Sequence, residues 1–223
     1  MEEKIPLLVR AGVPVIVSIA SQDDPQEFII LAQKLDEIKE VAAIELNISC
    51  PNIKEKGKLI AQDPRETAAL VKAVRKVTTK TLITKLSPNV TDITEIALAA
   101  ESAGSDAVSL INTLIGMSID VKTRRPRIAS VVGGLSGPAI RPVALRMVWE
   151  VYQKIKIPII GMGGIMDASS ALEFFLAGAS AISVGTANFI NPGITIEILK
   201  GIETYLRQTK FTSIRDLTGS LKK

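Results

Sequence analysis

The chain has 223 residues, 47% of them hydrophobic, enough to bury a sizeable core in one domain. Twenty-seven basic residues against 23 acidic ones give a net charge of +4, and with 4% aromatic residues there is little on which to stack bases, which disfavours single-stranded nucleic acid as a partner. There is no histidine, so Ser-His-Asp and Cys-His catalysis and most zinc sites are excluded. The single cysteine cannot form an internal disulfide and fits a reducing cytoplasm.

The opening MEEKIPLLVR lacks the layout of a signal peptide, and no apolar run has the length of a membrane-spanning helix. From there, apolar runs of about five residues alternate with amphipathic stretches of about 10–16, the βα signature. Strands are predicted over 13–18, 43–47, 82–85, 107–110, 157–160 and 181–184. Each is uniformly apolar, as a parallel strand covered on both faces should be. Between them stand helix starts at Asp24-Pro25, at Asp63-Pro64 with Glu66 three residues after the cap, and at Asn191-Pro192. Helix ends are predicted at Gly104 in ESAGSDAV and at Gly178 in the similar FLAGASAI. Two longer interruptions follow strands: 51–62, after the cysteine, and 116–137, which can form a small hairpin.

Six βα units without a domain break imply a single domain over 1–223. A doubly wound open sheet also accommodates six units, but its first βα turn should carry a dinucleotide glycine fingerprint, and SIASQDDP does not. In a (β/α)8 barrel, long loops after strands and glycines in the last units mark the active face and its phosphate site.

The strand ends carry polar groups: Ser18, Asn47, Lys85, then Asn112 and Thr113, then the turns GMGG (161–164) and Gly185-Thr186. Glycine turns let backbone N–H groups approach an anion at a helix N-terminus, or they simply make tight bends. Lys85 either stabilises negative charge on a ligand or caps a strand at the surface. The basic runs at 54–58 and 122–127 read first as solvated surface, with an anionic ligand or acidic partner as the alternative. Cys50 sits between Ser49 and Pro51 beside a polar loop rather than inside an apolar run. It is either an inert thiol or the most easily ionised base the chain offers. The flanking Asn47 and Asn52 suit a planar ligand with carbonyl and N–H edges.

ELNISCPN (45–52), TKLSPNVTDI, INTLIG, GGLSGPAIRPVAL, PIIGMGGI and GASAISVGTANF occur in an order that resembles the dihydroorotate dehydrogenase family. The resemblance is closest to the catalytic subunit of its class 1B, NAD-dependent type, and it runs over essentially the whole chain. It implies an α/β fold, the (β/α)8 TIM barrel of the FMN-linked oxidoreductase type. Roughly the first eighty residues of the family pattern have no counterpart, so the expected barrel is truncated to about six βα units. It also implies oxidation of dihydroorotate to orotate in pyrimidine synthesis, with Cys50 removing a proton from C5 while hydride passes from C6 to the flavin.

By the same resemblance, Ser18, Asn47, Lys85, Ile111, Gly137, Gly163, Gly164, Gly185 and Thr186 would contact FMN, Ser18 standing where the family pattern has an Asn. Asn47, Asn52, Asn112 and Thr113 would contact substrate, and 51–62 would be a lid. INT and the basic hairpin favour class 1B over 1A. The implied partners are a second copy of the chain and an electron-transfer subunit carrying FAD, an iron–sulfur cluster and the NAD site. No metal, nucleic acid or membrane partner is implied.

Two other readings stand beside this one. A tRNA dihydrouridine synthase shares an Asn-x-x-Cys-Pro stretch but uses a downstream histidine, which this chain does not have. A non-catalytic FMN- or phosphate-binding module would keep the glycine turns and lose the chemistry; binding without turnover would distinguish it.

Overall fold

The apolar runs become strands. In the computed structural model, which describes residues 4–21, 24–49 and 60–222, a short helix α1 (Lys4–Arg10) precedes β1 (Val15–Ile19), α2 (Pro25–Asp36), β2 (Val41–Leu46), α3 (Pro64–Arg75), β3 (Thr81–Lys85), α4 (Ile93–Ser102) and β4 (Ala107–Leu110). Two antiparallel ladders follow. β5 (Leu114–Met117) pairs with β8 (Val132–Leu135), enclosing β6 (Ile119–Asp120) paired with β7 (Arg125–Pro126). The alternation then resumes through α5 (Arg141–Tyr152), β9 (Ile159–Met162), α6 (Ala168–Ala177), β10 (Ala181–Ser183), α7 (Ala187–Ile190), α8 (Ile194–Gln208) and α9 (Ile214–Leu217). The parallel strands follow the order β1-β2-β3-β4-β9-β10, as the βα reading requires. No helix among the described residues is long and apolar enough to cross a membrane.

The chain divides into two compact units. One runs to Leu86 and includes Asp92–Ser109 and Lys154–Ile159; the other comprises Ser87–Thr91, Leu110–Gln153 and the chain from Ile160 onward. In the first, α2 turns Phe28, Ala32 and Leu35 into the core, and α3 turns in Leu70, Val71 and Val74, the i, i+3, i+4, i+7 spacing of one helical face. They pack with Ile44, Leu46 and Leu82 of β2 and β3, all inaccessible to solvent. Each such side chain contributes about 1.5–3 kcal/mol of hydrophobic stabilisation. In the second unit, α5 buries Ala144, Met147, Val148 and Val151, and α6 buries Ala171, Phe174 and Phe175. Gly161 of β9 makes room for the Phe174 ring: a Cβ there would stand 2.6 Å from its Cδ1. Tyr152, at the end of α5, lies against Gly178 and Gly219, both at positive φ.

The caps form where the sequence places them, with one difference. Asp24 accepts from the Gln26 N–H, and Asp63 from the N–H groups of Arg65 and Glu66. Gly104 and Gly178 follow α4 and α6 at φ +101° and +121°. Asn191-Pro192, however, does not open α8. Asn191 closes α7, its side-chain oxygen accepts from the Gly193 N–H at 2.9 Å, and α8 starts at Ile194. Coverage of the strands also differs from expectation. β2 to β4 are largely buried, but β1 and β10 alternate, with Ile16 52% exposed. These two strands end the hydrogen-bonded order and have a neighbour on one side only among the described residues.

Asp36, the last residue of α2, accepts from the Thr78 hydroxyl and the Thr79 N–H, both at 2.7 Å, tying the helix end to the turn before β3. The Thr78 hydroxyl first, and then the Thr79 N–H, hold its carboxyl below the ordinary 3.8. A lowered folded-state value means that the ionised form favours folding; that contribution is complete above 3.8 and is lost as pH falls through the lowered value. Asp36→Asn removes this contribution, so as pH falls from 3.8 to the lowered value its stability should decline less steeply than wild type, as read from urea unfolding midpoints in an acid series.

Candidate functional site

In the first unit, polar side chains from four adjacent strands meet on one face. Register places Ser18 of β1 opposite Glu45 of β2, and Lys85 of β3 opposite Ser109 of β4. The Ser18 hydroxyl donates to Glu45 Oε1 and the buried Ser109 hydroxyl to Glu45 Oε2, each at 2.7 Å. Lys85 Nζ stands 3.8 Å from Glu45 Oε1. Lys85 therefore does not cap its strand as a solvated surface lysine: its side chain is 21% exposed and paired with a carboxylate. Asn47 follows directly on β2. Its N–H continues the ladder to the Ile19 carbonyl at 2.9 Å, and its side-chain oxygen accepts from the Ser49 hydroxyl at 3.0 Å.

The second unit gathers the glycines. Gly164, at φ +77°, lies so close to the turn before α5 that a Cβ would stand 2.7 Å from the Gly137 carbonyl and 2.9 Å from Arg141 Cβ. Gly163 lies against Ala144, and Gly137 is at φ +88° with open space where a Cβ would project. The Thr186 hydroxyl donates to Ser136 Oγ at 3.0 Å, bringing the Gly185-Thr186 turn to the same place. Gly137, Gly163, Gly164, Gly185 and Thr186 thus come together around the start of α5, a cradle of glycine turns in which Gly163 and Gly164 leave no room for a side chain. That fits the phosphate of a cofactor, which takes backbone N–H donors at a helix start.

Asn112 and Thr113 sit on a shelf in the same unit. The Thr113 N–H donates to Asn112 Oδ1 at 2.8 Å, and Thr113 packs directly on Gly134 of β8. Asn89 braces the shelf by donating to the Thr113 carbonyl and accepting from the Ile115 N–H, each at 3.0 Å. The Ile111 N–H goes to the Met162 carbonyl at 3.0 Å. Cys50 and Asn52, and with them most of the 51–62 loop, lie outside the described residues; 60–62 form a 3-10 turn to which the buried Thr67 hydroxyl donates. The basic run 122–127 is exposed throughout, as the surface reading holds. Among the described residues there is no cluster of three or more metal-ligating side chains.

Glu45, Ser109, Asn89 and Ser136 were not singled out by sequence reasoning. Glu45 had a signal, a charge inside the apolar run 41–46. Asn89 and Ser136 had none, since their partners are 24 and 50 residues away.

A succession of parallel βα units, with polar groups and glycine turns at the strand ends, defines the class of α/β-barrel enzymes. The model of the dihydroorotate dehydrogenase family matches residues 2–206, and the chain belongs to that family. It is 53% identical over its full length to the dihydroorotate dehydrogenase B (NAD(+)) catalytic subunit of Trichlorobacter lovleyi, covering 73% of that protein. It is 52% identical to the subunit of the same name from Geotalea uraniireducens, over 99% of this chain and 72% of that one. The corresponding figures for Desulforudis audaxviator are 54%, 97% and 70%.

The close approach at Gly164 has a measurable consequence. Gly164→Ala forces a side chain into a positive-φ position against backbone, and should cost about 1–3 kcal/mol. Gly185→Ala meets nothing within 4 Å and should melt near wild type. Thermal melts of the two variants should therefore separate by several degrees.

Proposed function

We propose that this chain oxidises dihydroorotate to orotate in de novo pyrimidine synthesis, with FMN as hydride acceptor and Cys50 as general base. Membership of the dihydroorotate dehydrogenase family supports the reaction. The observation that supports the cofactor is the gathering of glycine turns at the start of α5, where Gly164 approaches the Gly137 carbonyl too closely for a side chain. Its glycines, with Thr186, hold the FMN phosphate; Ser18, Asn47, Lys85 and Ile111 contact the rest of the flavin.

FMN, when bound, supplies the acceptor for the hydride leaving C6. The chain supplies the rest. Cys50 takes the proton from C5, so that loss of hydride from C6 leaves the C5–C6 double bond of orotate. A thiol suits the task in a chain without histidine, since its unperturbed value near 8.5 lies closest to neutrality among the bases present. Asn47, Asn52, Asn112 and Thr113 hold the pyrimidine by its amide and carboxylate edges. The Thr113 backbone is already fixed by Asn89, so less ordering is left to binding. Lys85 places positive charge where the flavin gains electrons. With the Ser18 proton committed to Glu45, what Ser18 offers a ligand is a lone pair.

The relatives are named catalytic subunits of an NAD(+) enzyme. We extend this to the chain: it works in the cytoplasm as a homodimer with an electron-transfer subunit, which carries FAD, an iron–sulfur cluster and the NAD site.

Purified chain should be yellow, or turn so with added FMN, and its flavin absorbance should bleach with dihydroorotate under anaerobic conditions. Protein that stays colourless in excess FMN would overturn the reading. Cys50→Ser should slow the bleaching about 10²–10⁴-fold at neutral pH with flavin still bound. An unchanged rate would remove the thiol from the mechanism.

A further inference from the structure

Glu45 is the one charged side chain within β2, and it is 9% exposed. Burying a carboxylate costs several kcal/mol unless partners compensate. Here they do so by position: Ser18 on Oε1, Ser109 on Oε2, and the Lys85 ammonium 3.8 Å from Oε1. An apolar side chain at 45 would fill the same space without that cost, so stability does not account for the group. Its geometry does. Two hydroxyl donors, one on each oxygen and from strands on opposite sides of β2, fix the plane of the carboxylate. The fixed carboxylate then limits where a flexible four-carbon lysine can hold its charge. Ser109 stands beside Lys85 in the β3–β4 register, and Ser18 beside Glu45 in the β1–β2 register, so the carboxylate is fixed by the same strand pairing that places the lysine.

We infer that Glu45 is a positioning residue: clamped by Ser18 and Ser109, it holds the Lys85 ammonium in the orientation that meets the flavin. The inference rests on Lys85 as a flavin contact, and a double-mutant cycle separates the two claims. The readouts are the FMN dissociation constant, from quenching of flavin fluorescence on titration of flavin-free protein, and the reductive methylation rate of Lys85 in that protein, from mass spectrometry. Glu45→Gln keeps the size of the side chain and removes its charge. It should weaken FMN binding about tenfold in the wild-type background and by less than about twofold in the Lys85→Ala background. It should also raise the methylation rate of Lys85. Glu45→Asp, which keeps the charge on a shorter stem, should fall between wild type and Glu45→Gln, and it takes over the same cycle if Glu45→Gln does not fold.

Unchanged FMN binding in Glu45→Gln, with binding weakened in Lys85→Ala, would overturn the role of Glu45 alone and leave Lys85 at the flavin. Equal weakening in both backgrounds would show that Glu45 acts without Lys85 and would overturn it too. Unchanged binding in Lys85→Ala would remove the flavin contact and the inference together.

Discussion

Parallel pairing is the constraint from which the rest follows. A parallel neighbour is reached by a crossover connection, here α2, α3 and α4, so each strand of the first unit ends on the same edge as the one before it. Along a strand, alternate side chains share a face. A polar residue placed late in each of β1 to β4 therefore joins a row across the sheet, even though the residues are 27 and 64 positions apart in the chain. Ser18, Glu45, Lys85 and Ser109 form such a row because pairing brings them there.

The second unit solves a different problem. It brings glycine turns together, and the cost is conformational: Gly137, Gly163 and Gly164 all adopt positive φ, which any other residue would adopt only under strain. The Thr186 to Ser136 hydrogen bond ties two of these turns together, and Asn89 braces Thr113.

How much of this was legible in the sequence depends on whether the information is local. The β4 run was readable to the residue because its ends coincide with a glycine-ended helix and a polar pair. Asp24 and Asp63 were readable because a cap acts within three residues. Asn191 misled because it makes the same local bond two residues early, closing α7 rather than opening α8. The uniform apolar runs at 13–18 and 181–184 said nothing of which strands end the pairing order, and hence nothing of the exposure of Ile16. Of the site, the glycine turns and Lys85 stood out by residue type at strand ends. Glu45 stood out only as a charge in an apolar run, and Asn89 and Ser136 did not stand out, because their significance lies in partners distant along the chain. The thiol and Asn52, expected from the sequence, lie outside the described residues.

One last consequence concerns α5. Its first turn is the one on which Gly164 closes, and the only tryptophan of the chain, Trp149, rides on the same helix two turns further along, half-buried in a groove with Leu145 and Leu176. The protein thus carries its own optical reporter on the element that heads the cradle. Indole emission can follow that helix in unlabelled material, with no other tryptophan to confuse the signal.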